Sequence, residues 1–318
     1  MSSKMFVFLK KYVISGVLGH LTNPQKYGII RYICKQGTCF PEICGQGMLR
    51  RYFKMNGFAD KIFAELEKLP AIESCVLGGS RAGQHFDGAS DYDVYVYVTE
   101  DIPEQVRQAA FGGLCSVLEV GNRFWEYEDN LVLGDGVPMD IIYRRLDDFS
   151  REIEGVCSRF EAHNGYTTCM WHNLLNSRIV FDRKGRYEAL RKRYDIPYPE
   201  QLRENIISRN MRLLSGSLPC YTGQIKKAAD RGDINSVCHR VTEFMASYFD
   251  VIFALNRKTH PGEKRLVSIC LEECSMLPRD FEDDVSRLLG AVSGSPGEAA
   301  VIAGNMAEKL AEVVAAAR

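Results

Sequence analysis

The sequence has almost no net charge, with 40 Lys and Arg against 41 Asp and Glu for a formal −1 over 318 residues. That balance excludes a uniformly basic surface of the kind that holds a long nucleic acid, although not a local basic patch. No apolar stretch approaches the roughly 18 residues a membrane span needs, so no membrane partner is expected. Near the start, Met5–Leu9 is apolar, but Lys10 and Lys11 break the run and no small-residue cleavage site follows, so no secretory signal is expected. No C-x-x-C pair occurs among the 11 cysteines, and Cys34, Cys39 and Cys44, evenly spaced by five, fit no zinc pattern. They read as small buried hydrophobes of a reducing compartment, and the cytoplasm is the expected location. His163, His172, His239 and His260 also lack metal spacing. No internal repeat is visible. What is present, 46% hydrophobic and 25% charged residues, excludes a disordered chain. The length suggests two domains, or one with a substantial extension.

Along the chain, residues 1–48 read as an arm of helix and turns, interrupted by Gly16, Gly19, Pro24, Gly28, Gly37, Pro41, Gly45 and Gly47. Phe53, Phe58, Ile62, Phe63, Leu66 and Leu69 recur at helical spacing between Leu49 and Pro70. Ser74–Leu77 reads as a short strand ending at Gly78-Gly79-Ser80, and Tyr92–Val98 as a second, rich in β-branched and aromatic side chains. A helix is expected over Glu104–Leu118. Strands are expected at Asn130–Leu133 and Pro138–Tyr143, around the turn Gly134-Asp135-Gly136. Helices then follow over 148–161, 167–178, 184–193, 199–214, 220–229, 233–255, 279–290 and 297–317. Strands clustered in 74–146 and helices after them predict an α+β fold. The expected organisation is an N-terminal arm (1–48), a sheet-bearing domain (49–150) and a helical domain (151–318).

The chemistry concentrates in Gly78-Gly79-Ser80-Arg81-Ala82-Gly83 and Ser90-Asp91-Tyr92-Asp93. Gln84-His85 stands where a Walker A loop needs Lys and Ser or Thr, and the glycines lack G-x-G-x-x-G spacing, so both of those phosphate loops are excluded. A third arrangement remains. Glycines at a strand end let the backbone approach a triphosphate closely, and a helix starting there aims free N–H groups at the anion. The Ser80 hydroxyl is placed to bond a phosphate oxygen. Asp91 and Asp93, two apart, share one face of a strand. Two like charges so placed call for a cation, and Mg²⁺ suits oxygen ligands and phosphates. Asp140 opens a later strand; if that strand neighbours the first, three carboxylates converge and can hold two Mg²⁺. One ion would organise a nucleoside triphosphate. The other would acidify an acceptor hydroxyl whose proton Asp140 could take. Asp135, Asp147, Asp148, Glu126 and Glu128 are alternatives to Asp140, with Asp135 reading as a turn residue.

Gly79-Ser80, ten intervening residues, Asp91-Tyr92-Asp93 and the later Asp140 resemble the nucleotidyltransferase superfamily that includes DNA polymerase beta and the antibiotic nucleotidyltransferases. The Gly-Gly-Ser-Arg-Ala opening and Ser-Asp-x-Asp are similar to a bacterial branch, the DUF4037-type proteins. Asp182-Arg183-Lys184-Gly185, Arg231-Gly232-Asp233, Leu255-Asn256-Arg257 and Pro261-Gly262-Glu263-Lys264 resemble its helical half. The resemblance spans about 70–270 and implies a small mixed-sheet nucleotidyltransferase domain over 49–150, followed by the helical domain. It implies two Mg²⁺ at Asp91, Asp93 and Asp140, ATP as the nucleotide, Gly79 and Ser80 on the β,γ-phosphates, and a small-molecule acceptor such as an aminoglycoside-like antibiotic. Protein and RNA acceptors stay open, and the acidic Glu126–Asp129 stretch suits a cationic one. Arg81 reads equally as a triphosphate contact or a partner for a carboxylate. Lys264 would reach a phosphate from the helical domain, or stand solvated beside Glu263 and Arg265. Trp125 and Trp171 read as packing residues, with Trp125 also placed to line an acceptor pocket. Two further readings are a nucleotide-binding regulatory protein without transfer activity and an interaction module that binds no nucleotide.

Overall fold

Tyr92-Asp93-Val94-Tyr95-Val96-Tyr97-Val98 joins β-branched residues to tyrosines, side chains that pack well on a pleated surface. In the computed structural model, which describes residues 57–82 and 90–317, this segment is strand β2 (Tyr92–Val98). On one side β2 pairs antiparallel with β1 (Ile72–Leu77), which pairs antiparallel with β6 (Arg178–Asp182). On the other it pairs in parallel with β5 (Pro138–Arg144), followed antiparallel by β4 (Glu128–Leu133) and β3 (Cys115–Asn122). The order β3-β4-β5-β2-β1-β6 is a mixed sheet.

Successive strand residues point to opposite faces, so the sheet presents two different surfaces. Helix α1 (Gly57–Lys68) runs into β1, a single turn α2 (Gly79–Ala82) follows β1, and α3 (Glu104–Phe111) follows β2. α1 and α3 pack on one face. Phe58 lies so close to Gly134 that a Cβ there would come within 2.3 Å of its ring. Arg107 of α3 is fully buried in an ion pair with Asp129 of β4. The other face takes α4 (Leu146–Cys157), α5 (Cys169–Asn176) and α6 (Arg186–Tyr194). There Tyr97 meets Phe149 and Tyr187 at ring-centroid distances of 5.3 and 5.2 Å, contacts worth about 0.5–1.5 kcal/mol each beyond the area they bury.

The rest is helical: α7 (Glu200–Met211) extended by a π turn, α8 (Tyr221–Asp230), α9 (Ile234–Leu255), α10 (Leu266–Glu273), α11 (Phe281–Gly294) and α12 (Pro296–Ala316). Every residue of α9 from Ala246 to Leu255 is buried. A helix covered all round is the centre of its layer. One buried cluster runs from Val76 and Tyr97 of the sheet to Val314 of α12. No helix among the described residues is long and apolar enough to cross a membrane. The eight described cysteines are all unpaired.

The α+β expectation is met, with differences in detail. The helix expected over Glu104–Leu118 stops at Phe111, and Cys115–Asn122 is strand β3. Gly112 and Gly113 explain the break, because each glycine costs a helix interior about 1 kcal/mol. β6 lies between two segments read as helices; Ile179-Val180-Phe181 has the β-branched and aromatic character that strand pairing rewards. Helix α10 was not expected. The arm read over residues 1–48, and the first turns of the helix read from Leu49, lie outside the described residues.

Candidate metal centre

Three carboxylates come together at the start of β2. Asp93 is its second residue, and Asp91 stands two positions earlier, just ahead of the strand. Parallel pairing sets Asp140 of β5 opposite Asp93. One oxygen from each of Asp91, Asp93 and Asp140 lies within 4.8 Å of the others, and all three side chains are half-buried. Like charges this close repel by on the order of 3 kcal/mol per pair at an effective dielectric near 20. Accordingly Asp93 is pushed up to about 6, first by burial and then by Asp91 and Asp140, while Lys264 opposes the rise.

The polar row continues across the sheet. Asn130 of β4 faces Asp140, and Glu119 of β3 faces Asn130. Asn130 Nδ2 donates to Asp140 Oδ1 over 2.8 Å, and Asn122 Nδ2 donates to Asn130 Oδ1 over 2.6 Å. A fixed amide thus sets the rotation of the Asp140 carboxylate. Four of the five alternatives to Asp140 are occupied elsewhere. Arg144 Nε donates to Glu126 over 2.7 Å, Asp147 pairs with Arg186, Asp148 pairs with Arg151, and Asp135 accepts from the Val137 N–H within the turn.

Gly78 and Gly79 form the wall beside the acids. The Gly78 N–H donates to the Asp93 carbonyl over 2.8 Å. Gly79 has φ +60, and a Cβ there would sit 1.7 Å from Asp93 Oδ2; at Gly78 it would sit 2.5 Å from the Tyr95 ring. Both positions therefore demand glycine by proximity, and Gly79 by conformation as well. Ser80 follows in α2, its side chain outside those described. Arg81 Nε donates to the carbonyls of Ser90 and Asp91 at 2.6 and 3.1 Å, and its guanidinium lies 4.0 Å from the Tyr92 ring centroid. Arg81 thereby holds the backbone that presents Asp91. Lys264 reaches the site from the far helical half, its Nζ 3.7 Å from Asp91 Oδ2.

Sequence reasoning missed Asn130 and Asn122. A signal for Asn130 existed: residues 130 and 140 are equidistant from Asp135 at the hairpin tip, which predicts that they face each other. It also misplaced Trp125, which is 88% exposed beside the 82% exposed Phe124 in the β3–β4 connection. Trp171 is buried as expected, donating Nε1–H to the Tyr194 carbonyl over 2.8 Å.

The donor set fits a hard divalent cation. All three ligands are carboxylates, they converge from two adjacent strands, and their mutual repulsion is relieved by a positive ion between them. Three carboxylates offer enough oxygens to share between two such ions.

Residues 167–266 match the family described as a domain of unknown function, DUF4037. Among curated proteins no match is found. Solved structures to which the chain is similar include a nucleotidyltransferase-like protein from Exiguobacterium sibiricum, at 11% identity and TM-score 0.37, covering 81% of this chain and 73% of that one. An aminoglycoside 6-adenyltransferase from Bacillus subtilis gives 10% identity and TM-score 0.26, with 82% and 92% covered. The CCA-adding enzyme of Thermotoga maritima gives 13% identity and TM-score 0.24, with 80% of each chain covered.

Proposed function

We propose that this chain is a nucleotidyltransferase that moves a nucleoside monophosphate from a nucleoside triphosphate, ATP in the first instance, to a hydroxyl of a small-molecule acceptor and releases pyrophosphate. The observation that carries the reading is the meeting of Asp91, Asp93 and Asp140 against a glycine turn that touches Asp93. These three residues would hold two Mg²⁺. Bound there, the ions would neutralise the triphosphate and lower the pKa of the acceptor hydroxyl.

The protein's own groups do the rest. Asp140, oriented by Asn130, takes the proton of the acceptor hydroxyl as that oxygen bonds to the α-phosphorus. The bond from the α-phosphorus to the bridging oxygen breaks, and pyrophosphate carries away the electron pair. Gly79 allows close approach of the β,γ-phosphates, with Ser80, Arg81 and Lys264 as their polar neighbours. In this reading the nucleotidyltransferase domain expected over 49–150 is completed by β6 from the C-terminal half, and the helical segments that follow bring Lys264 to the cleft.

The test is pyrophosphate release from each nucleoside triphosphate with Mg²⁺ and a panel of hydroxyl-bearing acceptors, amine-bearing polyols among them. Asp93→Asn is expected to abolish release while the fold persists. Turnover retained in that variant would remove the metal assignment. Absence of both release and Mn²⁺ binding in the parent protein would remove the function.

A further inference from the structure

We propose that Lys264 is a competitor of the metal, held in place by its own strap. Residues 256–265 seat its ammonium on Asp91, and a divalent cation gains full use of that carboxylate only by displacing it, which hands the ammonium to the nucleotide's phosphates. The inference rests on the nucleotidyltransferase reading and adds to it a defined exchange at one carboxylate.

The strap is fixed at several points. His260 is fully buried, with its ring 4.9 Å from those of both Tyr166 and Phe253. Its backbone N–H donates to Thr168 Oγ1 over 2.7 Å, and its Nδ1 accepts from the Gly262 N–H over 3.2 Å. Thr259 Oγ1 is 2.8 Å from Nδ1 of His172 on α5. Gly262 turns the chain at φ +108 and Arg265 leads into α10 at φ +59. Beneath Thr168, the backbone N–H and hydroxyl of Thr167 donate to the buried Asp250 carboxylate over 3.0 and 2.7 Å. The strap thus hangs on the start of α5. The same helix carries Asn173, whose Oδ1 lies 3.1 Å from where a Cβ on Gly78 would stand. One short helix therefore supports both the glycine wall and the lysine strap.

A solvated surface lysine needs none of this anchoring. The Lys264 side chain is 68% exposed, so its ion pair is weak and a divalent ion can displace it. An oxygen that ligates a cation loses most of its attraction for an ammonium, and the two positive charges repel. The signature is a pair of effects of opposite sign. Removing the ammonium strengthens metal binding in the absence of nucleotide and weakens nucleotide binding in the presence of metal.

Calorimetric titration of the full chain tests this, with Mn²⁺ alone and with a nonhydrolysable ATP analogue in saturating Mn²⁺. For Lys264→Met, Mn²⁺ is expected to bind about three- to tenfold tighter and the analogue about tenfold weaker. Thr168→Val keeps the lysine but removes the acceptor of the His260 N–H; Mn²⁺ should again bind tighter, by a smaller factor, with thermal melts verifying the fold. Mn²⁺ affinity unchanged or weakened in Lys264→Met, with the parent protein still binding the ion, overturns the exchange and leaves the metal site standing. An unmoved Thr168→Val overturns the anchoring. No Mn²⁺ binding by the parent protein removes both the exchange and the function it rests on.

Discussion

Asp93→Asn should make the protein more stable while it removes one carboxylate from the candidate metal centre. Asp93 shares its half-buried position with two other carboxylates, and its carboxyl is pushed from 3.8 up to about 6, with burial the largest cause. A shift of that size corresponds to about 3 kcal/mol of penalty on the charged form. Solvent reaches this end of the strand and screens the repulsion, so the recoverable part is about 1–2 kcal/mol. Its sign with pH is defined. Below the unfolded value both states carry the proton and no penalty exists. Between about 4 and 6 the folded state binds more protons than the unfolded one, so stability falls as pH rises, and above about 6 the penalty is constant. Asn mimics the protonated acid at every pH. In denaturant melts with chelator, the variant should therefore exceed the parent by about 1–2 kcal/mol at pH 7.5, or about 2–6 °C in Tm. It should match the parent near pH 4. Added Mg²⁺ should raise the Tm of the parent and leave the variant unmoved. Parallel pH–stability curves for the two proteins would refute the argument that burial and the neighbouring carboxylates penalise the charged form of Asp93 in the folded state.

Gly79→Ala places a Cβ at φ +60 against the Asp93 carboxylate; denaturant melts should show a loss of about 2 kcal/mol, and Mn²⁺ titration a loss of binding, since the carboxylate must move. Asn130→Leu removes the donor that orients Asp140, and Mn²⁺ affinity together with pyrophosphate release should fall at least about tenfold with little change in Tm. Arg107→Leu leaves Asp129 buried without its ion-pair partner on the opposite face; a loss of about 3–5 kcal/mol in a denaturant melt is expected at neutral pH.

The centre of the fold was legible because its signals are local. β2 could be read to the residue, since alternating valines and tyrosines leave no competing period, and the hairpin between β4 and β5 announced itself through Gly134-Asp135-Gly136. The carboxylate pair followed from spacing within one strand. Asp140 needed the further assumption that its strand lies beside β2, which the parallel pairing of Asp93 with Asp140 satisfies. What stayed hidden depends on the tertiary fold. β6 is five residues long and earns its strand conformation only by pairing with β1, more than a hundred residues earlier in the chain. Trp125 has the composition of a packing residue, and nothing local indicates that the connection carrying it projects into solvent. Lys264 could be suspected but not placed. Its approach to Asp91 depends on the burial of His260 and on Thr167, Thr168 and Asp250, none of which forms a motif.

A single strand explains why the acids stand where they do. Asp93, Tyr95 and Tyr97 occupy one face of β2, and Val94, Val96 and Val98 the other. Along the first face polarity falls with depth. Asp93 stands at the open end. Tyr95 follows, with the Arg144 guanidinium 4.6 Å from its ring centroid, and Tyr97 is 1% exposed against Phe149 and Tyr187. On the other side of the strand Val94, Val96 and Val98 are apolar and buried. A slip of one residue in the pairing would turn Asp93 into that apolar layer and expose the valines, at the cost of a buried charge and several buried side chains. The energetic demand for a core thus fixes the register that sets Asp93 opposite Asp140. Convergence of the carboxylates needs no separate device, and their repulsion is a local cost carried by a strand whose remaining residues hold it in place.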